Sequence, residues 1–262
     1  MADMARLIGG WISRPLYTRV AIIGLLLFAL ISLVFAAIPT SGETSTLVFF
    51  IIPIVLSGIV AGLMWRFGRW ALVVAAVWGS LNLWWAWLLV LSLSYPNSFF
   101  DFVLPLLLTV GALLTVVGAI VAFVQQRRGT VRTVSSRAER RTFGAIAVAL
   151  LALSVLSGSL HIAGLTTVSA EAETGAIVVD MRNSYLVPDR LEISVGETAW
   201  IVVKNNDFFV HTFRIDELGV EYTVLPFSEL LIELRPTSTG EFTYRSEATM
   251  TGDMEGTLVV TQ

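Results

Sequence analysis

His161 and His211 are the only histidines in the chain, and Met250 and Met254 stand four residues apart near its end. Imidazole and thioether together form a donor set for a soft ion such as Cu(I). Ser246, Glu247, Thr249 and Asp253 share the stretch with the two methionines. There is no cysteine, which excludes disulfides, thiolate zinc sites, iron–sulfur clusters and cysteine nucleophiles. No glycine-rich phosphate motif is present, and no Ser/His/Asp set or carboxylate pair stands at a readable catalytic spacing. The residues suggest binding chemistry and nothing marks an enzyme.

The elements that must carry these residues fall into two kinds. Of 262 residues, 55% are hydrophobic and 14% charged, with a mean hydropathy of +0.78. Five runs lack Asp, Glu, Lys and Arg altogether: 20–38, 47–65, 70–93, 102–124 and 143–165. Each has the roughly 19 residues needed to cross a ~30 Å hydrocarbon core. The first exceeds the roughly 7–15 apolar residues of a signal-peptide core and is read as a span. The leader 1–19 and the second and fourth connections are rich in Arg, whereas the first and third carry only Glu43 and Asp101. By the positive-inside rule the N-terminus is cytoplasmic and everything after the fifth span is outside.

Within the spans, Gly58/Gly62 and Ser154/Gly158 are spaced for close helix packing. Five tryptophans crowd the third span, at 70, 78, 84, 85 and 87; they suit an interfacial belt, or a site for a lipid-soluble cofactor. His161, near the outer end of the fifth span, is either an interfacial side chain or a ligand to a metal or cofactor.

Residues 166–174 are small, polar and acidic and read as a linker. The segment 175–262 then shows short β-rich runs at 176–181, 191–195, 199–204, 211–215, 221–225, 230–234, 241–245 and 257–261. Turn residues separate them, as in an antiparallel sandwich. Charge divides at the same boundary: residues 1–165 hold eleven Arg against four acids, and 166–262 hold six basic residues against sixteen acids. So acidic a domain repels nucleic acid and anionic headgroups.

Two stretches of this segment, KNNDFFVHTF at 204–213 and YRSEATMTGDMEG at 244–256, resemble the metal end of a cupredoxin. YLVPDRLEISVG at 185–196 is similar to that family's second-strand run. GEFTY at 240–244 is similar to the strand that enters the ligand loop. The resemblance covers the last third of the chain and implies a Greek-key sandwich with His211 and Met254 at ligand positions and Gly256 behind them. At the positions of the family's Cys and second His stand Ser246 and Thr249. A serine hydroxyl stays protonated near neutral pH and cannot replace a thiolate in a type 1 copper plane.

The expected architecture is α + β in separate domains, a five-helix transmembrane bundle followed by a cupredoxin-like Greek-key sandwich. The expected role is that of a binding or assembly module in a membrane complex, with the lipid bilayer and other membrane subunits as partners and no resident cofactor. The alternative is copper handling through His211, Met254 and Met250 as a Cu(I) site. Electron transfer is a third reading, by family analogy alone.

Overall fold

The computed structural model describes residues 10–11, 13–37, 44–182, 185–247 and 254–262, with side chains omitted for 44–49. Thr249, Met250 and Asp253 lie outside the described residues, as do positions 39–43 of the first connection. The chain forms two compact units. One is helical and comprises Met1–Ala37, Thr44–Val90 and Val103–Ser154; the other comprises Ile38–Glu43, Leu91–Phe102 and Val155–Gln262.

The uncharged runs are helices: α1 (Leu16–Ala37), α2 (Thr44–Arg66), α3 (Arg69–Asn82), α4 (Ala86–Ser92), α5 (Phe99–Arg128) and α6 (Arg137–Gly164). A short 3-10 turn, Leu83–Trp85, joins α3 to α4. Among the described residues four helical stretches are long and apolar enough to cross a membrane: Leu16–Ala37, Arg69–Ser92, Phe99–Arg128 and Arg137–Gly164. The described part of α2, Phe50–Arg66, is a shorter apolar helix. At the start of α6, Ser136 Oγ accepts from Glu139 N and Glu139 Oε2 accepts from Ser136 N, a capping box that satisfies two otherwise free donors.

Close packing in the helical unit uses other glycines than those the spacing singled out. A Cβ on Gly24 would lie 2.6 Å from the Gly111 carbonyl oxygen, and one on Gly118 2.6 Å from Ala21 N. The backbones of α1 and α5 therefore touch there. Among the described residues, a Cβ on Gly58 or Gly62 would meet nothing within 4 Å. Gly111 and Gly118 are two turns apart and so share a face; a search confined to four-residue spacings passes over them. Trp70 and Trp84 are largely exposed at the two ends of the tryptophan-rich stretch, while Trp78 donates to Ser57 Oγ at 3.0 Å.

The second unit contains a sandwich of two sheets. Its strands are β1 (Ile177–Arg182), β2 (Tyr185–Val187), β3 (Arg190–Ser194), β4 (Ala199–Asn205), β5 (His211–Ile215), β6 (Val220–Val224), β7 (Glu229–Leu234), β8 (Gly240–Ser246) and β9 (Met254–Thr261). The sheets run β2-β1-β4-β7 and β3-β9-β8-β5-β6. Contrary to the antiparallel expectation, β1 pairs β4 in parallel and β3 pairs β9 in parallel. Alternation of apolar residues sets which face is buried but not which way a neighbour runs. The three-residue β2 is too short to show a period of its own.

Period-two alternation aims the site residues inward. Along β5, His211, Phe213 and Ile215 are all fully buried; along β8, Tyr244 and Ser246 are; along β9, Met254, Leu258 and Val260 face the core. The register sets Tyr244 opposite Gly256 and Ser246 opposite Met254. Tyr244 donates to the Pro188 carbonyl and tilts against Phe213 at 5.8 Å.

Burial, aided by the Asp189 charge, pushes the Tyr244 phenol from 10.0 up to about 12. The folded domain thus holds that proton more tightly than the unfolded chain. The stability this confers is complete below the unfolded value and is lost as pH rises through the folded one. It amounts to something on the order of 2–3 kcal/mol. We expect alkaline melts to fall between about pH 10 and 12 and Tyr244→Phe to flatten that limb; an unchanged limb would put the loss elsewhere.

The segment 166–174 is anchored rather than free. Thr166 O accepts from Glu229 N at 2.8 Å and Thr166 Oγ1 donates to Glu229 O at 2.7 Å. Val168 N donates to Glu229 Oε2 at 2.8 Å, which with Lys204 holds that carboxyl below its ordinary range. A single turn, α7 (Ala170–Glu173), follows, capped by Ser169.

The candidate site at the His211 end of the sandwich

His211 stands at the start of β5, where the chain enters the sheet from the tight loop 205–210. Asn205 builds that loop from the end of β4. Its Nδ2 donates to the carbonyls of Phe209 (2.8 Å) and Val224 (2.9 Å), and its Oδ1 accepts from Asp207 N (2.9 Å). Asp207 Oδ1 accepts from Phe208 N at 2.8 Å, which leaves Oδ2 aimed at the His211 ring. The asparagine-rich strand end seen in the sequence is therefore a device for folding a buried carboxylate back onto the histidine.

Both nitrogens of His211 are engaged. Nε2 lies 3.3 Å from Asp207 Oδ2 and Nδ1 lies 3.1 Å from Ser246 Oγ. An ionised carboxylate only accepts, so Nε2 carries the proton; in the neutral ring Nδ1 then accepts from the serine hydroxyl. Ser246, which stands where the resemblance puts the family's cysteine, thus takes up one ring nitrogen of His211. Met254, 3% exposed, faces Ser246 across β8 and β9 and belongs to the apolar core.

The structure brings His211, Ser246 and Met254 to one end of the sandwich. It adds Asp207, which was not singled out because its role depends on a turn rather than a spacing. Asp207, His211 and Ser246 stand in the order of a Ser-His-Asp relay that the spacing did not reveal. With Asp207 4% exposed and the other two fully buried, no substrate carbonyl can reach the hydroxyl. The donor set does not fit type 1 copper, because it offers no thiolate and both nitrogens of its imidazole are already engaged. Among the described residues no group of three His, Cys, Asp or Glu side chains is placed to hold a metal.

Two contacts from the segment 91–102 reach the same loop. Asp101 Oδ2, fully buried, accepts from Val210 N at 2.9 Å and from Ser98 Oγ at 2.5 Å. The Phe100 ring meets Phe208 edge-on at 5.2 Å and Phe227 at 6.4 Å. Phe227 has φ of 59°, on a turn closed by Ser228 N to Leu225 O. A bulky residue at positive φ costs about 1–3 kcal/mol; its ring contacts with Phe208, 5.0 Å away, and Phe100 help hold it there.

Sheet order, strand ends and the His211 loop together define a cupredoxin-like domain. The model of the cupredoxin-like domain family matches residues 145–260, so the chain carries such a domain behind apolar helices. Among solved structures, the chain is similar to the metal-binding domain of a Cu(I)-exporting P-type ATPase from Streptococcus pneumoniae. That match has 14% identity and a TM-score of 0.28, covering 37% of this chain and 93% of that one. It is similar to a chain of a heme-copper terminal oxidase dimer, with 18% identity and a TM-score of 0.31, over 47% and 99% of the two chains. It is also similar to an amicyanin variant, with 23% identity and a TM-score of 0.27, over 37% and 91%. No curated protein matches the chain.

Proposed function

We propose that this protein is a multi-pass membrane subunit whose cupredoxin-like domain serves as a binding or assembly module on the outer side of the membrane, without a resident metal. The observation that carries this reading is the His211 ring. It is fully buried, with Ser246 on one nitrogen and Asp207 on the other. A fully satisfied buried network rigidifies the core around it, and it replaces the exposed, exchangeable donor that a metal carrier needs. The outward placement rests on the arginine-rich connections. The helices agree with an assembly role: Gly58 and Gly62 lie on a small-residue face that no described residue approaches within 4 Å of an added Cβ.

Copper handling is the second reading. It is favoured by one fact, that His211 and Met254 both neighbour Ser246; Met250 would have to join them. Native electrophoresis of membranes extracted in mild detergent separates the two. The assembly reading expects this 28.6 kDa chain in a band several times its mass, unchanged by copper chelators. A chain that runs alone and carries stoichiometric copper would reverse the order of the two readings.

A further inference from the structure

Helix α6 is apolar along most of its length, yet the two side chains it buries are Ser157 and His161. Leu151, Val155, Leu156, Leu160 and Ile162 are exposed. A helix ordinarily turns its apolar stripe inward; here the inward positions are the polar ones. They lie four residues apart, one above the other on a single face. Ser157 is 2% exposed and His161 8%. Ser157 Oγ and His161 Nδ1 are both shut off from solvent and find no hydrogen-bond partner among the described residues. This differs from Ser154 one turn earlier, whose hydroxyl donates to the Leu150 carbonyl.

The surroundings are aromatic. Phe100 meets the His161 ring edge-on at 6.3 Å, and Phe99 lies 3.5 Å from where a Cβ on Gly158 would be. Protein atoms, not lipid, cover the pair, so a headgroup cannot satisfy it. Buried polar atoms left unpaired are costly in an apolar setting, and a matched pair on adjacent turns calls for one shared partner. The other ring nitrogen faces the Asn97 backbone, which leaves Nδ1 to accept; a hydroxyl both donates and accepts, so it can donate to Nδ1 and pair with the serine at once.

We propose that Ser157 and His161 form a binding site for a single hydroxyl group near the end of α6. Its source is either the phenolic head of a lipid-soluble molecule packed beside Phe100 or one ordered water. This site is separate from the His211 network and stands or falls independently of it.

The chain has only two histidines, so full-length protein carrying ¹⁵N-histidine in lipid nanodiscs gives two imidazoles to follow, assigned with His161→Gln. Trimethylhydroquinone is the probe and trimethylbenzene, which lacks the hydroxyls, the control. A saturable His161 shift with the hydroquinone alone, its affinity weakened about tenfold in Ser157→Ala, supports the lipid-soluble guest. No shift, but a long-lived water cross-peak to His161 that vanishes in Ser157→Ala, supports the water. Absence of both signals, or either one surviving Ser157→Ala unchanged, overturns the site.

Discussion

Replacing His211 by leucine is expected to destabilise the sandwich by about 3–5 kcal/mol, more than an apolar substitution of that size. The cause lies outside the ring. Asp207 is 4% exposed, and removing the imidazole leaves its carboxylate facing an alkyl chain. Ser246, fully buried, loses its acceptor in the same step. Leaving buried polar groups unpaired costs far more than the net worth of the hydrogen bonds themselves. The check is thermal unfolding of the full chain, followed through the β-sheet signal, in a double-mutant cycle with Asp207→Leu. The second substitution should recover a large part of the loss, since it removes the stranded charge. Were His211 an idle ring in an open metal site, the single change would cost little and the two substitutions would simply add.

Gly256→Ala should be nearly as damaging, about 3 kcal/mol, at the upper end of what overpacking a core usually costs. A Cβ at this position would lie 2.2 Å from Tyr244 Cζ and 2.5 Å from its hydroxyl. The ring cannot move aside, because it is fully buried, hydrogen-bonded to the Pro188 carbonyl and set against Phe213. In the sequence Gly256 looked like part of a ligand loop; in the structure it is the floor under a tyrosine. The two explanations divide on the pair Gly256→Ala with Tyr244→Leu. Space for the methyl group returns if the ring is the obstacle, and the double variant then melts above Gly256→Ala alone. A glycine needed for a metal loop would show no such rescue.

Much of this fold could be read directly from the chain. Uncharged runs of membrane length became helices, and alternation placed β5 at its observed bounds, 211–215. What escaped the reading depends on pairing between distant residues. The parallel partners of β1 and β3 are set by crossovers between sheets, which leave no local pattern. Gly24 and Gly111 matter because they meet each other. The resemblance singles out His211, Ser246 and Met254, whereas Asp207 leaves no such mark, because it is Asn205 that bends the loop delivering it. Residues 166–174 read as a linker on composition, and only the fold shows Glu229 holding them.

The proposed occupant of the His211 imidazole is a serine hydroxyl and not a metal. This is tested most directly by titrating the full-length protein with Cu(I) against a chromophoric chelator, and with Cu(II) by visible absorption, beside the variant Ser246→Cys/Thr249→His. The natural chain is expected to stay colourless and to leave the copper with the chelator. The variant, given back the thiolate and the second imidazole, takes up Cu(II) and turns blue. Stoichiometric copper bound tightly by the natural chain, and lost with His211→Ala, would contradict it.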